Sequence, residues 1–369
     1  MQIIDKLYEN YKPLYPVDRF CDPYKALFVD IETTGLKKET TSLYLIGCGY
    51  YCEDGFMTRL FFADNTSEEI DIILMFREHL LKYTHLIHFN GSKFDIPYLE
   101  YKAGVYGIPG LFDGTDQIDV YAMCKPLRYL LFPESMRQKA IEGFLGIKRE
   151  DKFGGGELIE VYKHYEAYNN EADLKLLITH NREDVLGMHL IMPILFYLDF
   201  KDAPLVYEDY RINKYTDYNG DECEEVIFEY STPLSFPRSF VAKTESMYVK
   251  ASAKDRHLSI RLPIYSGTMK IFFDNYRDYC YIPDEDTALL RSIALALPKD
   301  KYVKATKEKC YQNITGTFIK QPSNTFTPVL RSSYKDKKKY FKFPESFKTE
   351  AAEDFGRQLI NVFFSMKHR

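Results

Sequence analysis

The feature that most constrains this chain is a strand-like run that ends in two acids. In the stretch ALFVDIETTGL (residues 26–36), apolar residues lead into Asp30 and Glu32, and a Thr-Thr-Gly break follows directly. Residues two apart on an extended strand point to the same face of a sheet. Adjacent carboxylates repel each other and resist ionisation unless a cation lies between them. The pair therefore predicts either the solvent-exposed rim of a sheet or a metal site.

The length and the cysteines limit the classes of protein to which the chain can belong. Its 369 residues predict two domains, each with a substantial core. Seven cysteines, an odd number without zinc-site spacing, predict the reduced thiols of a cytoplasmic protein. We also expect no secretory signal peptide and no membrane span, because the first residues and the apolar runs lack those patterns.

Charge is unevenly distributed between the two halves of the chain. Residues 1–200 contain 21 Lys and Arg against 31 Asp and Glu, whereas residues 201–369 contain 28 against 23. An acidic half suits metal binding, and a mildly basic half suits contact with a polyanion. Drift in surface composition is the simpler alternative explanation.

The first half alternates strand-like and helix-like segments. Runs of apolar and β-branched residues predict strands over 25–32, 42–51, 56–63 and 84–90. Apolar residues at helical spacing predict helices over 66–83, 93–107 and 171–198. This alternation predicts an α/β domain with a mixed sheet.

Near residue 200 the pattern changes to short strand-like runs and turns. Strands are predicted over 257–264, 268–273 and 325–334, and the chain ends in a helix with an apolar stripe of Phe355, Leu359, Val362 and Phe363. We therefore predict an N-terminal extension over 1–23, an α/β domain over 24–200 and a smaller β-rich (α+β) domain over 201–369. The last region resembles no family, and nucleic-acid binding is one possible role for it.

A second polar constellation follows the strand predicted over 84–90. The stretch HFNGSKFDIPYL places Asn90 and Asp95 between the end of that strand and the start of a helix. Open α/β sheets place their sites at such carboxyl edges. The alternative is that Asp95 only caps the following helix, a frequent role of aspartate. Asp116 and Asp119 are weaker candidates, since a helix start explains them equally well.

A third constellation lies inside the long C-terminal helix of this domain. In THNREDVLGM, His180 and Asp184 are four residues apart and share one helical face. A solvated polar turn is the alternative reading of such a pair. The apolar run that follows favours a helix packed on the sheet, which would bring the His/Asp turn to a sheet edge.

Taken in order, the three constellations resemble the motifs of the DEDD superfamily of 3′–5′ exonucleases, whose fold is ribonuclease-H-like. DIETTGL is similar to the first exonuclease motif, and FNGSKFDIPYL to the second. HNREDVLGM, with FLGIKREDKFGGGELIEVY upstream, more specifically resembles the bacterial YprB-type ribonuclease-H-like family. The resemblance spans roughly residues 24–198 and implies a ribonuclease-H-like fold there.

The resemblance gives roles to these residues. Four acids without a cysteine make an oxygen-rich site that suits Mg²⁺ or Mn²⁺, and two such ions about 4 Å apart can promote phosphodiester hydrolysis. Asp30 would bridge both ions, Glu32 and Asp184 would complete one coordination shell, and Asp95 would hold the second ion. His180 would act as general base. His180 lies four residues before Asp184. That is the spacing of tyrosine and aspartate in the superfamily's tyrosine branch, whereas histidine and aspartate are five residues apart in its histidine branch.

Two further segments are predicted to contact the substrate. Thr33, Thr34 and Gly35 form a turn beside the predicted metals that could donate hydrogen bonds to a terminal nucleotide, and Leu36 could wedge against its base. Asn90 is assigned to the same substrate site. In the second half, Lys337, Lys338 and Lys339 lie among aromatic residues in YKDKKKYFKF, a composition found on single-strand binding surfaces. A solvated lysine run is the commoner explanation.

The sequence therefore predicts a metal-dependent 3′–5′ exonuclease that acts on the 3′ end of single-stranded DNA or RNA. Two alternatives stay open: a structure-specific endonuclease that uses the same metal site, and a catalytically silent nucleic-acid-binding module. The complete set of four acids argues against the silent module.

Overall fold

The computed structural model describes residues 1–132 and 134–366. The chain forms two compact units. The first contains residues 1–128 and 132–198, and the second contains residues 129–131 and 199–369. Within the described residues, no helix is long and apolar enough to cross a membrane.

The first unit is built on a six-stranded mixed sheet. Its strands are β1 Gln2–Glu9, β2 Ala26–Thr33, β3 Leu43–Cys52, β4 Gly55–Phe62, β5 His85–His88 and β6 Asp116–Asp119. They are ordered β1-β4-β3-β2-β5-β6. The first four are antiparallel neighbours, whereas β2, β5 and β6 run parallel. The mixed sheet predicted from the alternation of segments is confirmed.

Helices accompany this sheet. They are α1 Glu69–Leu80, α2 Asp95–Val105, α3 Val120–Cys124, α4 Arg128–Leu131, α5 Gln138–Leu145, α6 Gly155–Tyr168, α7 Glu171–Ile191 and α8 Phe196–Asp199. Of these, α4 belongs mostly to the second unit, which contains residues 129–131. One helix was predicted over 171–198, but the observed α-helix α7 ends at Ile191. A 3₁₀ turn over Met192–Leu195 interrupts it, because Pro193 has no N–H to continue the α-helical ladder.

Two further elements of this unit, β1 and α6, differ from the sequence prediction. Residues 1–23 were expected to be an extension, but β1 pairs antiparallel with β4 along its whole length. Its side chains are mostly exposed or half-buried, as on an edge strand, so it lacks the apolar run by which the other strands were recognised. The helix α6 was also missed, because its glycine-rich start looks like a loop.

The second unit consists mainly of antiparallel sheet. Its strands are β7 Val206–Thr216, β8 Glu222–Ser231, β9 Phe240–Thr244, β10 Met247–Ala251, β11 His257–Phe272, β12 Tyr279–Ile282, β13 Thr287–Leu290, β14 Val303–Lys304, β15 Tyr311–Gln321 and β16 Lys339–Lys342. β12, β13 and β14 form a separate three-stranded sheet. Two helices, α9 Arg291–Ala294 and α10 Ala352–Ser365, complete the unit.

The predicted β-rich character is confirmed, but two of the predicted strands form one strand and a third is largely absent from the described residues. The runs 257–264 and 268–273 belong to one strand, β11, which pairs with β8 and β10 in its first half and with β15 in its second. Its glycine, Gly267, has a φ of +146°, and the pairing with β15 continues through it. The predicted strand over 325–334 is reduced to isolated bridges at Leu330 and Arg331.

The final helix α10 packs on the sheet of its own unit. The ring of Phe355 lies 5.7 Å from that of Phe228 and 5.7 Å from that of Phe341. The hydroxyl of Tyr230 donates a hydrogen bond of 3.0 Å to the carbonyl of Ala352. The amphipathic helix predicted from the apolar stripe is confirmed, and that stripe belongs to the core of the second unit.

Candidate metal centre

Asp30 and Glu32 lie on β2, an interior strand of the first sheet. Asp30 is half-buried and Glu32 is buried, and their neighbours on one side belong to β3. The long helix α7 lies against both strands. It brings His180 and Asp184 to Glu32, so that one ligand atom from each of these three residues lies within 4.8 Å of the others.

Asp95 reaches the same group from α2. It is the first residue of that helix, and the N-cap position belongs to Phe94, so a cap is not its role. Charge repulsion from Asp95 is among the effects that raise the pKa of both Asp30 and Glu32. The four acids that the sequence singled out from three distant segments are therefore within electrostatic reach of one another.

The pKa values of Asp30, Glu32 and Asp95 show that their ionised forms are disfavoured in this structure. Burial first, and then repulsion from Asp184, raises the pKa of Asp30 and of Glu32 well above its ordinary range. Burial raises the pKa of Asp95 to about 6, although backbone N–H groups oppose the shift. A divalent cation removes this penalty by neutralising the carboxylates. The donor set of carboxylate oxygens fits Mg²⁺ or Mn²⁺.

One histidine is oriented towards this group by an acid that the sequence reading did not assign. The Nδ1–H of His180 donates a hydrogen bond of 2.8 Å to Asp151, which lies in the loop between α5 and α6. The opposite nitrogen, Nε2, then faces the acids, 3.2 Å from Asp184 and 3.6 Å from Glu32. Although burial opposes it, a hydrogen bond from the Phe153 N–H and the neighbouring His180 lower the pKa of Asp151. Asp151 therefore remains a charged acceptor that fixes the imidazole ring.

Arg149, in the same loop, is the second residue that the sequence reading missed. Its side chain is 10% exposed, and its Nη1 lies 2.6 Å from Oδ1 of Asp184. The same nitrogen lies 3.2 Å from the buried carboxylate of Glu142. Arg149 therefore supplies one positive charge to a group of acids and holds the carboxylate of Asp184 by one oxygen. The run KRED (residues 148–151) lies in the stretch that resembles the YprB-type family, and nothing in its spacing distinguishes the arginine as a site residue.

A third missed residue connects α7 to the metal-binding strand. The side-chain amide of Asn181 donates a hydrogen bond of 2.8 Å to Oδ2 of Asp30. Asn181 is fully buried and lies against Gly47, where a Cβ would come within 1.9 Å of its Oδ1. Gly47 is the partner of Asp30 on β3. A glycine inside a strand can mark such a close approach, and this was the available signal.

The turn after β2 is held by its own hydrogen bonds. The hydroxyl of Thr33 donates 2.8 Å to the carbonyl of Gly35, and the hydroxyl oxygen of Thr34 accepts from the N–H of Ser42. Leu36 is 84% exposed, so its side chain stands free of the core. The structure thus gives the turn a fixed shape, and its role in substrate binding stays a prediction.

The loop after β5 contains the last predicted residue of this unit, Asn90. It adopts a left-handed conformation with a φ of +63°, and its N–H donates 2.9 Å to Oδ1 of Asp119. The same oxygen caps α3 through the N–H of Ala122. Asp119 therefore shapes the loop beside the acids as well as starting a helix. The side chain of Asp116 is 87% exposed.

The lysine segment lies in the second unit and is only partly as predicted. Lys337 and Lys338 are exposed, and Lys339 begins β16. The expectation that the neighbouring aromatic rings stack on bases is wrong for Phe341 and Phe343, which are 0% and 1% exposed. They belong to a core cluster with rings 6.3 Å apart. The alternation of lysine and aromatic residues here reflects a strand with one buried face.

Comparisons with known proteins bear on the fold of the first unit. Residues 27–196 match the RNase_H_2 family, described as part of the RNase H superfamily. This match and the mixed sheet confirm the predicted ribonuclease-H-like fold. Among curated proteins, no sequence matches this chain.

Two solved structures illustrate the remote similarity. The family B DNA polymerase from the hyperthermophilic archaeon Pyrobaculum calidifontis is 14% identical, with a TM-score of 0.36, and the match covers 70% of this chain and 35% of the polymerase. Exonuclease I in its apo form is 12% identical, with a TM-score of 0.32, covering 62% of this chain and 56% of that enzyme. The chain thus spans about a third and just over half of their lengths. At this level of similarity these structures carry no argument about activity.

Proposed function

We propose that this protein is a metal-dependent nuclease that removes nucleotides from the 3′ end of single-stranded DNA or RNA, by a two-metal-ion mechanism. The observation that carries this proposal is the group of four acids in the first unit. They are drawn from β2, α2 and α7, and burial and mutual repulsion raise the pKa of three of them. Perturbed acids that converge at the carboxyl side of a sheet are typical of a catalytic centre. The resemblance of the three motifs supports the 3′–5′ direction and the closer placement in the YprB-type family.

Mg²⁺ or Mn²⁺ would be held by Asp30, Glu32, Asp95 and Asp184. When bound, such ions would activate water and stabilise the leaving oxygen of a phosphodiester. The protein's own contribution is to hold these carboxylates in place before the substrate arrives. Asn181 fixes Asp30 through its side-chain amide, and Arg149 fixes Asp184 through one carboxylate oxygen.

His180 is proposed as the general base. With Nδ1–H bound to Asp151, the ring is in the tautomer that leaves Nε2 free to accept a proton. That nitrogen faces the side of the group formed by Glu32 and Asp184. His180 would take the proton from the attacking water, and Asp151 would stabilise the imidazolium that forms.

The remaining parts of the proposal concern the substrate and the compartment. The turn from Thr33 to Leu36 follows directly after Glu32, where it could contact a terminal nucleotide. Lys337 and Lys338 are exposed on the second unit and could neutralise phosphates of the strand. All seven cysteines are free thiols, which supports a cytoplasmic location.

An end-labelled strand tests the proposal. With Mg²⁺ and a 5′-labelled single strand, we expect a ladder of products that shortens step by step, and a 3′ label should be released first as a mononucleotide. Internal cuts without a ladder would favour the structure-specific endonuclease, which uses the same acids. An unchanged strand that is nevertheless bound would favour the silent binding module. DNA and RNA strands of the same sequence, tested in parallel, identify the substrate.

A further inference from the structure

A cleft of about 460 Å³ opens in the first unit. It is lined by Phe89, Asn90 and Tyr121 on one side and by Arg128 and residues 134–138 on the other. The sequence reading gave no role to its walls, apart from Asn90. Their composition combines aromatic rings with arginines, which is the combination that binds single-stranded nucleic acids.

The aromatic wall consists of two half-buried rings that meet edge to face. The rings of Phe89 and Tyr121 have their centroids 5.6 Å apart at an angle of 65°. The Nζ of Lys125 lies 5.2 Å from the centroid of the Tyr121 ring. A half-buried ring fixed by such neighbours keeps one surface available for stacking at little conformational cost.

The arginine wall carries charge that the protein does not neutralise. Among the described residues, neither Arg128 nor Arg137 has an ion pair, and the Nε of Arg128 is buried without a hydrogen-bond partner. Glu134 is the one acid among the lining residues. This local excess of positive charge stands out because residues 1–200 contain 31 acids against 21 basic residues. An unpaired, partly buried guanidinium is suited to bind a phosphate by paired hydrogen bonds.

The cleft adjoins the acids at two points. Asn90 lies five residues before Asp95, in the loop that starts α2. On the opposite side, the side-chain amide of Gln138 donates hydrogen bonds of 2.9 Å to the backbone carbonyl of Asp184 and to Glu142. A nucleotide in the cleft would therefore lie next to a nucleotide held at the acids.

We propose that this cleft is a subsite for a nucleotide adjacent to the one that is cut, with its base stacked on Tyr121 and its phosphate bound by Arg128 and Arg137. The proposal rests on the proposed function, since it takes the acids as the place of cleavage. It makes the cleft a determinant of how tightly a strand binds, separate from the chemistry. The amide of Asn90 is available to hydrogen-bond the base or the sugar.

Fluorescence anisotropy with a labelled single strand tests this subsite. The background is Asp30→Asn in Mg²⁺, so that the strand is not consumed, and DNA and RNA of one sequence are titrated separately. Tyr121→Ala should weaken binding by about 5- to 100-fold, the loss that corresponds to one stacked base. Tyr121→Phe keeps the ring and should bind like the parent. Melting temperatures of both variants check that the fold is retained.

The roles of Arg128 and Arg137 are tested by the salt dependence of the affinity for the single strand. Arg128→Ala and Arg137→Ala should each reduce the slope of log affinity against log salt by about 0.7, the value for one phosphate contact on a single strand. Arg77→Ala, on the exposed side of α1, is the matched control and should leave the slope unchanged. Tight binding by the parent with unchanged affinity and slope in every cleft variant would overturn the subsite alone. A parent protein that binds neither strand would overturn the subsite and the proposed function together.

Discussion

A group of acids in the first unit is placed in the opposite way to a set of paired acids in the second unit. In the second unit, acids on β8 pair with basic residues across the sheet: Glu229 lies 3.4 Å from Arg211, and Glu224 lies 2.7 Å from Lys214. The basic partners are 60% and 79% exposed, so water screens these pairs. In the first unit, Glu32 is 8% exposed, its carboxylate lies 3.6 Å from His180, and a carboxylate oxygen of Asp184 lies within 4.8 Å of it.

This difference separates acids paired at a surface from the acids that we propose to hold a cation. Burying carboxylates beside each other is costly, and a fold retains such an arrangement where it serves a function. Glu224 and Glu229 of the second unit each lie within ion-pair distance of a basic residue of the protein itself. Among Asp30, Glu32, Asp95 and Asp184, only Asp184 forms an ion pair with Arg149. The comparison can be tested by changing one acid or base at a time.

The largest effect is expected from Asp30→Asn. The substitution removes a carboxylate proposed to contact both metal ions, which should lower the rate of strand shortening by at least roughly 10³-fold, because several kcal/mol of transition-state stabilisation is lost. Its matched control, Glu229→Gln in the second unit, should shorten the strand at the parent rate. A folded Asp30→Asn protein with parental activity would show that the acids are not the site.

The next effect concerns His180, whose Nε2 faces the acids. His180→Ala should cost about 10²- to 10⁴-fold in rate, the usual contribution of a general base. His180→Tyr should recover part of this loss, because the spacing to Asp184 equals that of the superfamily's tyrosine branch. The rate of single-turnover cleavage measures both variants. A loss of less than about tenfold would reduce His180 to a positioning residue.

A smaller effect is expected from Arg149→Met. Without the guanidinium, Asp184 loses its orienting contact and the buried Glu142 loses its cation. We expect a loss of about 10- to 100-fold in the affinity of the metal ion that activates the enzyme, as for other residues that support metal ligands. The Mg²⁺ concentration at half-maximal rate measures it. Arg211→Met, which removes a basic residue from an exposed pair in the second unit, is the control and should change nothing.

The double variant Arg149→Met with Glu142→Gln separates orientation from fold stability. Arg149→Met leaves the buried charge of Glu142 unpaired and should lower the melting temperature. Adding Glu142→Gln removes that charge, so the melting temperature should return towards the parent value. The Mg²⁺ concentration at half-maximal rate should stay as high as in Arg149→Met. Recovery of both would mean that Arg149 serves only to neutralise Glu142.

The pH dependence of stability should reflect the raised pKa of Asp95 in the first unit. Burial raises the pKa of Asp95 from 3.8 to about 6, so the folded protein binds more protons than the unfolded chain in this interval. The contribution of Asp95 to stability is therefore lost as the pH rises from about 4 to 6 and is restored by metal above that range. Thermal unfolding without metal should show this trend, and Asp95→Asn should flatten it. Addition of Mg²⁺ should raise the melting temperature at pH 7 more than at pH 5.

The smallest effect is predicted for the second unit. Replacing Lys337, Lys338 and Lys339 with glutamate should weaken the binding of long strands and flatten its salt dependence, while short strands are still cut. The buried Phe341 and Phe343 provide no stacking, so the effect should be purely electrostatic. An unchanged salt slope and unchanged processivity would indicate that this unit binds a protein partner or only supports the fold.

Local patterns in the sequence were sufficient for much of the first unit. The apolar run before Asp30, the turn after Glu32 and the helical spacing around His180 each depend on neighbours within a few residues, which propensity and periodicity describe. The edge strand β1 was not predicted, because its pairing with β4 is a long-range contact. The end of α7 at Ile191 was also not predicted, although Pro193 is a local signal for it. In the second unit, β11 was divided at Gly267 because the turn signal there has no tertiary context.

By itself the sequence determined which residue types could hold a metal and that they fall at the ends of strands and on a helix turn. Only the tertiary structure decided that Arg149 holds Asp184, that Asp151 orients His180 and that Asn181 lies on Gly47 to reach Asp30. The physical reason is that each of these contacts joins segments far apart in the chain. Their energy depends on distance and burial in the folded state, and neither quantity is expressed in local spacing.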